Sequence, residues 1–404
     1  MKPTLFGYGL TTKAIASSLG GGCIFFDDKT TKAYIDRNGN RIYPSSEFDP
    51  NKSRLEVTTP SFNPSHPLIK RAKNLISEYD YFYKDMPFSI WISGTNGKTT
   101  TTQMLTHLLG ERGAISGGNI GTPLANLDRD APIWILESSS FTLYHTKEAT
   151  PNIYILLPVK PDHIDWHGTY DEYLKAKLSP IERMREGELA LIPKGLKSKI
   201  KDSSAFIVEY GSIEFLENYF NIDSSKIDFK GAFLEDAMLS LAVTKALFDE
   251  VNYNKINSFK LDRHRQEEIL DRKGRVWVND SKATNIDASI RAVEGYSSNF
   301  IRLILGGLYK GADLEPYFKF LSSIDLKLYL IGEDFSNLKE LAEKYGIDFC
   351  ECGTLQRAVD RIDREMGADD IALLSPASAS FDQFKSYKDR GDQFCKLIYS
   401  SIFE

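Results

Sequence analysis

The stretch Phe88–Thr102, FSIWISGTNGKTTTT, decides the fold of this chain. An apolar run typical of a buried strand stops in a loop bracketed by Gly94 and Gly97, and Lys98 follows at once. Glycines in such a loop let backbone N–H groups point at phosphate oxygens, and the following helix adds the positive end of its dipole. The pattern predicts a nucleotide site at the carboxyl end of a strand, with an ordinary glycine turn as the alternative.

The residues after the second glycine add chemistry to this loop. Lys98 can reach the outer phosphates of a nucleotide, and the hydroxyl of Thr99 can ligate Mg²⁺. The match is to a shortened pattern, GxxGKT, because Ile92 occupies the place of the first glycine in the eight-residue form. A phosphate-binding loop is therefore favoured over the plain turn.

Composition indicates a globular protein of several domains. The chain has 404 residues, of which 42% are hydrophobic, enough for a core in each domain. A formal charge of −6 provides no general basic field, so nucleic acid is not an expected partner. Four cysteines, at 23, 350, 352 and 395, are too few for a disulfide framework and lack zinc spacing, which favours idle thiols in a reducing compartment. Since no apolar stretch approaches about 18 residues, we expect a cytoplasmic protein without membrane insertion.

Alternating strand-like and helix-like segments predict an α/β fold of three domains. We expect a Rossmann-like N-terminal domain at 1–84, a central P-loop mononucleotide-binding parallel sheet at 85–260, and a Rossmann-like C-terminal domain at 261–404. The opening Gly7-Tyr8-Gly9 has Thr12 at the third position of a dinucleotide fingerprint. A strand-to-helix turn is therefore as good an interpretation of this motif as a nucleotide-diphosphate site.

Two further groups of residues point to a metal near the phosphate loop. Glu137 ends the strand-like run IWILE, where a carboxylate facing the loop could supply a Mg²⁺ ligand. His163 and His167 are four residues apart, but Gly168 follows and no helical pattern surrounds them, which favours a structural role for one of the two. Lys177, taken alone, is predicted to be a solvated lysine on a helix.

The order of the motifs along the chain resembles that of the Mur ligases, and the final motif is similar to that of the members that add D-glutamate. The motifs are GTNGKTT at 94–100, NIGTP at 119–123, ESSSF at 137–141, DHIDWHG at 162–168, YLKAKL at 173–178, HR at 264–265, NDSKATN at 279–285, GGLYKGADL at 306–314 and LLSPASASFDQF at 373–384. The resemblance implies an ATP-driven ligase that joins D-glutamate to UDP-N-acetylmuramoyl-L-alanine through an acyl phosphate, with Mg²⁺ at two sites. We expect it to act as a monomer.

The resemblance also implies roles for individual residues. The catalytic residues would be Lys98, Asn119, His163 and Lys177, and the metal ligands would be Thr99, Glu137, His163 and Lys177, the last as a carbamate formed with CO₂. ATP would be bound by Gly94, Thr95, Asn96, Gly97, Lys98, Thr99, Thr100, Arg265, Asp280 and Lys282. The UDP-linked substrate would contact Leu10, Thr11, Asp27 and Lys29, and D-glutamate would contact Thr284, Lys310, Ser380, Phe381 and Tyr387.

The segment 231–237 departs from the family pattern. Where Mur ligases commonly carry Gly-x-His-Asn-x-x-Asn near the adenine, this chain has Leu234 and Ala237 in place of the two amides. Stacking on Phe233 or backbone contacts are then the alternatives for holding the base.

Three other classes of protein share part of this pattern. A folylpolyglutamate-synthase-type ligase would share the phosphate loop and the modified lysine, but it would need neither the UDP-binding opening nor the final motif. A non-enzymatic nucleotide switch would leave the lysine-containing loops after residue 279 unexplained. An NAD-dependent oxidoreductase would rest on Gly7-Tyr8-Gly9 alone and would leave the phosphate loop without a role.

Overall fold

The structure, a computed structural model, describes residues 2–309 and 313–400. Lys310, which was expected to contact D-glutamate, lies outside the described residues. The chain divides into two compact units, Met1–Phe229 with Phe233–Phe259, and Lys230–Ala232 with Lys260–Glu404. The first unit contains two six-stranded sheets and the second contains one.

The N-terminal sheet is short-stranded and mostly parallel, in the order β3-β4-β2-β1-β5-β6, with β3 antiparallel to β4. Thr12 occupies the position of the third glycine of the dinucleotide fingerprint. Its side chain is accommodated there because it is fully buried and its hydroxyl donates to the carbonyl of Gly7 at 2.6 Å. The strands are β1 Thr4–Phe6, β2 Ile24–Asp27, β3 Tyr34–Ile35, β4 Arg41–Pro44, β5 Glu56–Val57 and β6 Leu75–Ile76, and the helices are α1 Leu10–Ser18, α2 Pro67–Arg71 and α3 Glu78–Phe82.

The central sheet is parallel throughout, in the order β12-β11-β10-β7-β9-β8. The four inner strands, β7, β9, β10 and β11, read as nearly continuous apolar runs because both of their faces are covered, as expected for a parallel sheet. The strands are β7 Phe88–Ser93, β8 Ala114–Gly118, β9 Ile133–Glu137, β10 Ile153–Leu156, β11 Leu189–Pro193 and β12 Phe206–Tyr210. The helices are α4 Lys98–Leu109, α5 Ser140–His145, α6 Ile164–His167, α7 Tyr170–Arg183, α8 Ile213–Phe220, α9 Gly231–Phe248 and α10 Tyr253–Asn257.

The sheet of the second unit has the order β13-β14-β18-β15-β16-β17, and β13 is antiparallel to β14. Alternate residues of β15 enter two different cores, since Leu303 packs with Tyr317 whereas Ile304 packs with Phe394. The strands are β13 Glu267–Leu270, β14 Val276–Asn279, β15 Ile301–Gly306, β16 Leu326–Ile331, β17 Phe349–Gly353 and β18 Ile371–Leu374. The helices are α11 Ile286–Tyr296, α12 Glu315–Leu321, α13 Ser336–Tyr345, α14 Leu355–Glu365 and α15 Tyr387–Ser400.

The predicted α/β class with three mostly parallel sheets is confirmed. The apolar runs near 24, 134, 153, 189, 276, 301, 326 and 371 all form strands. Sequence reasoning missed several short or half-exposed strands, including β3, β5 and β6, because two or three residues carry too little periodicity to register. The four cysteines are free thiols. Across the described parts of the chain, every helix is too short or too polar to cross a membrane.

Candidate active site

The loop between β7 and α4 is packed so closely that it requires its glycines. Gly94 has φ +146°, and a Cβ atom there would lie 2.5 Å from the Cβ of Leu157. Gly97 has φ +86°, and its Cβ would lie 2.6 Å from Oδ1 of Asp236. The loop is therefore pressed against the chain that follows β10 and against α9, and α4 starts immediately after it with Lys98. The N-terminal N–H groups of α4 and the loop amides form the kind of site that binds phosphate.

Two lysine side chains converge on this loop. The amine of Lys98 donates to the carbonyls of Gly94 at 2.9 Å and of Thr95 at 2.8 Å. The amine of Lys177 donates to the same Gly94 carbonyl at 2.7 Å and contacts the hydroxyl of Ser93 at 3.3 Å. The two amines thus share an acceptor.

Lys177 is buried, with only 1% of its surface exposed, so the expectation of a solvated helix lysine is wrong. Burial and the neighbouring charge of Lys98 hold the pKa of Lys177 well below its usual value. The helical period of α7 explains the burial, because the buried residues Tyr173, Leu174 and Ile181 lie three or four residues away on the same face. By contrast, Lys175 of the same helix has a side chain that is 64% exposed.

Asn119 and Glu137 form a pair beside the phosphate loop. They are brought together because β8, β9 and β7 are neighbours, with Gly118 opposite Glu137 and Glu137 opposite Ile92. The side-chain amide of Asn119 donates to Oε1 of Glu137 at 2.9 Å, and its backbone N–H donates to the carbonyl of Glu137 at 2.8 Å. The other carboxylate oxygen, Oε2, is buried and has no hydrogen-bond partner among the described residues. An anionic oxygen in that situation is suited to a cation.

The two histidines of DHIDWHG have different environments. His167 is buried, its Nε2 lies 3.0 Å from Oγ of Ser140, and burial lowers its pKa to about 4, which fits the structural role favoured for one of the pair. His163 has a side chain that is 45% exposed and a left-handed backbone with φ 54°, an uncommon conformation outside glycine. Burial and the positive charges of Lys98 and Lys177 lower the pKa of His163, against the raising effect of Asp162. The one-turn helix α6 begins directly after His163 and ends with His167, although the sequence showed no helical pattern there.

A groove runs along the N-terminal sheet and continues to Asn119. Its outer part, a cavity of about 890 Å³, is lined by Thr11, Asp27 and Lys29 among others. Its inner part, about 180 Å³, is lined by Thr11 and Asn119. Leu10 lies on both parts and is 65% exposed, which is unusual for a large apolar residue at the start of a helix. The structure therefore brings all four residues expected to contact the UDP-linked substrate to one groove.

Asp27 organises the outer part of the groove. One carboxylate oxygen accepts the backbone N–H of Tyr8 at 2.9 Å, and the other accepts that of Lys29 at 3.1 Å. These contacts fix the turn after β2 against the turn after β1, at the carboxyl edge where open α/β sheets bind ligands.

In the second unit, the expected ATP residue Asp280 is buried beside Arg265. Oδ2 of Asp280 accepts the hydroxyl of Ser375 at 2.8 Å, and Oδ1 accepts the N–H of Gln266 at 3.3 Å. Burial raises the pKa of the Asp280 carboxyl to about 7, against the lowering effect of the nearby Arg265 charge. Lys282 lies in the loop after β14 with its amine 5.7 Å from the ring centre of Tyr387.

The residues expected to contact D-glutamate that the structure describes, Thr284, Ser380, Phe381 and Tyr387, all belong to the second unit. The backbone N–H of Thr284 donates to the carbonyl of Lys282 at 2.8 Å. Ser380 is buried, and its hydroxyl has no partner among the described residues, whereas Phe381 is 67% exposed. Tyr387 begins α15, and its carbonyl accepts the hydroxyl of Ser281 at 2.8 Å.

Sequence reasoning missed residues that build the site from a distance. Arg390 is buried and donates to the hydroxyl and carbonyl of Ser281 and to the carbonyl of Ser378, so it ties two of the loops of the second unit together. Glu78 and His145 line the inner groove. The Ser-x-x-Asp pattern at 77–80 signals a helix start, but no local pattern reveals the long-range partner of a single carboxylate or guanidinium.

Comparison with known proteins agrees with this geometry. Residues 92–233 match the family model described as Mur ligase middle domain. A ligase fold of the same kind is seen in the MurF ligase of Thermotoga maritima in complex with ADP, with a TM-score of 0.59 at 14% identity over 95% of each chain. The matched middle domain and the shared fold indicate the class of Mur-type ligases.

Two curated relatives narrow this class. The UDP-N-acetylmuramoylalanine–D-glutamate ligase of Campylobacter jejuni (strain RM1221) is 46% identical over 401 residues, 98% of this chain and 99% of the relative. The protein of the same name from Helicobacter pylori (strain HPAG1) is 42% identical over 98% of this chain and 99% of its own. The chain belongs to the Mur ligases, in the family of UDP-N-acetylmuramoylalanine–D-glutamate ligases. This full-length similarity favours a Mur ligase over the folylpolyglutamate-synthase-type alternative.

Proposed function

We propose that this enzyme uses ATP to ligate D-glutamate to UDP-N-acetylmuramoyl-L-alanine. The observation that carries the proposal is the convergence of Lys98, Lys177 and the Asn119–Glu137 pair on the carboxyl edge of the central sheet, at the inner end of the substrate groove. The full-length relatives bear the name of this reaction.

The proposed reaction has two steps. The carboxylate of the L-alanyl group attacks the γ-phosphorus of ATP, which forms an acyl phosphate and releases ADP. The amine of D-glutamate then attacks the acyl carbon, the C–O bond to phosphate breaks, and an amide and inorganic phosphate result. Lys98 would contact the transferring phosphoryl group, because it already lies within the loop that faces the phosphates. The positioned groups act mainly by orientation and charge neutralisation.

The residues of the loop region fit bound Mg²⁺, which would neutralise phosphate charge when present. Glu137 offers a buried carboxylate oxygen that has no other partner among the described residues, and Thr99 offers a hydroxyl at the first turn of α4. No group of three or more His, Cys, Asp and Glu side chains suited to a metal occurs within 2–309 and 313–400. Two Mg²⁺ sites would therefore require further ligands, which we propose to be His163 and an anionic group formed on Lys177.

Lys177 is suited to carbamate formation. Carbamylation joins the nitrogen of a neutral amine to the carbon of CO₂ with loss of one proton, and burial beside Lys98 favours the neutral amine. The product is an anionic oxygen ligand on a long side chain, which fits hard cations such as Mg²⁺.

We also propose roles for the remaining predicted residues. Gly94–Thr100 would hold the ATP phosphates, with Arg265, Asp280 and Lys282 as further ATP contacts. Leu10, Thr11, Asp27 and Lys29 would hold the UDP part of the substrate, and Thr284, Lys310, Ser380, Phe381 and Tyr387 would hold D-glutamate. We propose a cytoplasmic monomer, since ATP and UDP-activated sugars are cytoplasmic and every proposed contact comes from one chain.

Product formation is the direct test. Purified enzyme is incubated with ATP, Mg²⁺, UDP-N-acetylmuramoyl-L-alanine and D-[¹⁴C]glutamate, with L-[¹⁴C]glutamate and omission of ATP as controls. We expect radiolabelled UDP-linked product only with the D-isomer and ATP. Product formation with a folate substrate in place of the UDP-sugar, and none with the UDP-sugar, would overturn the proposal.

A further inference from the structure

Glu78 is a buried carboxylate that no sequence motif assigns to the reaction. It is the first residue of α3 and is only 8% exposed. Its Oε1 atom accepts the backbone N–H of Leu124 at 2.8 Å, and the N–H of Ala125 also bonds to the carboxylate. Both donors belong to the single helical turn Leu124–Asn126. A carboxylate is costly to bury, so these bonds are what hold it in place.

That turn ends the loop which carries Asn119. The loop leaves β8 at Gly118 and closes on itself through a bond from the N–H of Gly118 to the carbonyl of Thr122 at 2.8 Å. It is thus anchored by the sheet at one end and by Glu78 at the other. Because the loop is short and closed, a shift of the anchored turn would move Asn119 as well.

Tyr79, the residue after Glu78, contacts Glu137, the hydrogen-bond partner of Asn119. The hydroxyl of Tyr79 donates to the carbonyl of Glu137 at 3.2 Å. The space between these groups is full, since a Cβ atom on Gly118 would lie 2.7 Å from the Tyr79 hydroxyl and 2.6 Å from the Glu137 carbonyl. Two consecutive residues of α3, Glu78 and Tyr79, therefore support Asn119 and Glu137. Of these four residues, Glu78, Tyr79 and Asn119 line the inner groove.

We infer that Glu78 is a positioning residue for the proposed metal site: it fixes the turn 124–126, so that Asn119 holds one oxygen of Glu137 and leaves the other available to a divalent cation. The inference rests on the proposed function, because the cation is part of that function. Groups that orient a metal ligand in this way typically change metal affinity about 10- to 100-fold when they are lost.

Asp80 provides a matched control on the same helix. Its carboxylate also accepts backbone N–H groups, from Lys147, Glu148 and Ala149 at 2.8 to 2.9 Å. Those donors follow α5 and do not belong to the loop of Asn119. If α3 merely anchored the fold, loss of either carboxylate would have similar consequences.

The test measures binding of Mn²⁺, a spectroscopic substitute for Mg²⁺, in the presence of a non-hydrolysable ATP analogue. We expect Glu78→Gln to weaken Mn²⁺ affinity by about tenfold or more, and to raise amide hydrogen exchange in residues 118–126. Asp80→Asn should raise exchange near 147–149 and leave Mn²⁺ affinity as in the wild type. Binding of the ATP analogue and thermal unfolding are recorded for each variant, and Glu78→Asp, which keeps the charge on a shorter arm, replaces Glu78→Gln if the latter does not fold.

Wild-type Mn²⁺ affinity in the folded Glu78 variant would overturn the inference, as would an equal loss of affinity in Asp80→Asn. Failure of the proposed function is distinguishable, because it would appear as absence of D-glutamate incorporation by the wild-type enzyme. The Mn²⁺ measurement needs neither amino-acid nor UDP-linked substrate, and the separate measurement of ATP-analogue binding distinguishes a change in the metal site from a change in nucleotide binding.

Discussion

Lys98 and Lys177 donate hydrogen bonds to one acceptor, the carbonyl oxygen of Gly94, at 2.9 and 2.7 Å. Two ammonium groups so close together repel each other, and the repulsion is strongest where water is excluded. Since Lys177 is the buried member, its pKa is the one held well below the usual value by burial and by the charge of Lys98. The pair thus consists of a cation suited to phosphate and a buried amine that loses its proton more readily than an ordinary lysine.

Replacement of Lys98 tests the cationic member. Lys98→Ala should lower ligation by at least about 100-fold, the usual cost of removing a group that stabilises transition-state charge. Binding of the UDP-linked substrate should be unchanged, because the predicted UDP contacts line the groove of the N-terminal sheet. Calorimetry with that substrate and steady-state assays measure the two quantities. A parallel loss of UDP-substrate binding would contradict the separation of the two sites.

Replacement of Lys177 tests the buried member. Lys177→Ala should be nearly inactive and partly rescued by short-chain carboxylic acids, which can place an anionic oxygen in the vacated space. Lys175→Ala, a change on the exposed face of α7, is the matched control and should keep full activity. Activity of the Lys177→Ala variant is assayed with a series of carboxylic acids. The mass of the wild-type protein, or a high-resolution map of its Lys177, shows whether this lysine is modified. Absence of rescue combined with an unmodified Lys177 would remove the carbamate from the proposal.

Replacement of Asp27 tests whether the outer part of the groove binds the UDP-linked substrate. Asp27→Ala removes the acceptor of the Tyr8 and Lys29 N–H groups and should weaken binding of the UDP-linked substrate roughly tenfold, or about 1.4 kcal/mol, within the range for hydrogen bonds to a charged group. Asp49→Ala is the control, because Asp49 likewise accepts the N–H two residues later, that of Asn51, but it is absent from the residues that line the groove. Affinities are measured by calorimetry. An equal loss in both variants would point to general destabilisation.

The raised pKa of Asp280 predicts that the stability of the second unit depends on pH. Its folded pKa of about 7 lies above the unfolded value of about 3.9, so the folded state binds more protons between these two values. The contribution of this residue to stability is therefore complete below about pH 4, falls as the pH rises towards 7, and is constant above that. From pH 6 to pH 8 the loss should be about 1.4 kcal/mol.

The measurement for Asp280 is denaturant unfolding of the second unit at pH 6 and pH 8. Asp280→Asn cannot titrate at this position and should show a pH dependence smaller by that amount. An identical pH dependence in the wild type and the variant would show that the carboxyl ionises at its ordinary pKa.

The sequence by itself determined the class of fold and predicted the outline of the site. Continuous apolar runs followed by polar or glycine-rich loops identified the parallel strands, because a strand buried on both faces must be apolar throughout. The residues Gly94, Gly97 and Lys98 identified the phosphate loop, because the geometry of that loop is local and needs these residue types at fixed spacing. The resemblance carried by the later motifs led to the family.

Only the tertiary structure decided which side chains meet and which are buried. Taken alone, Lys177 was expected to be solvated, and only the family resemblance pointed the other way; its burial follows from the packing of α7 onto the central sheet rather than from its own chemistry. Glu78 and Arg390 stabilise loops distant in sequence, so no local pattern could reveal them. The physical reason is that a hydrogen bond or a pKa shift depends on distance and solvent exclusion in three dimensions, whereas periodicity and turn chemistry act within a few residues of the chain.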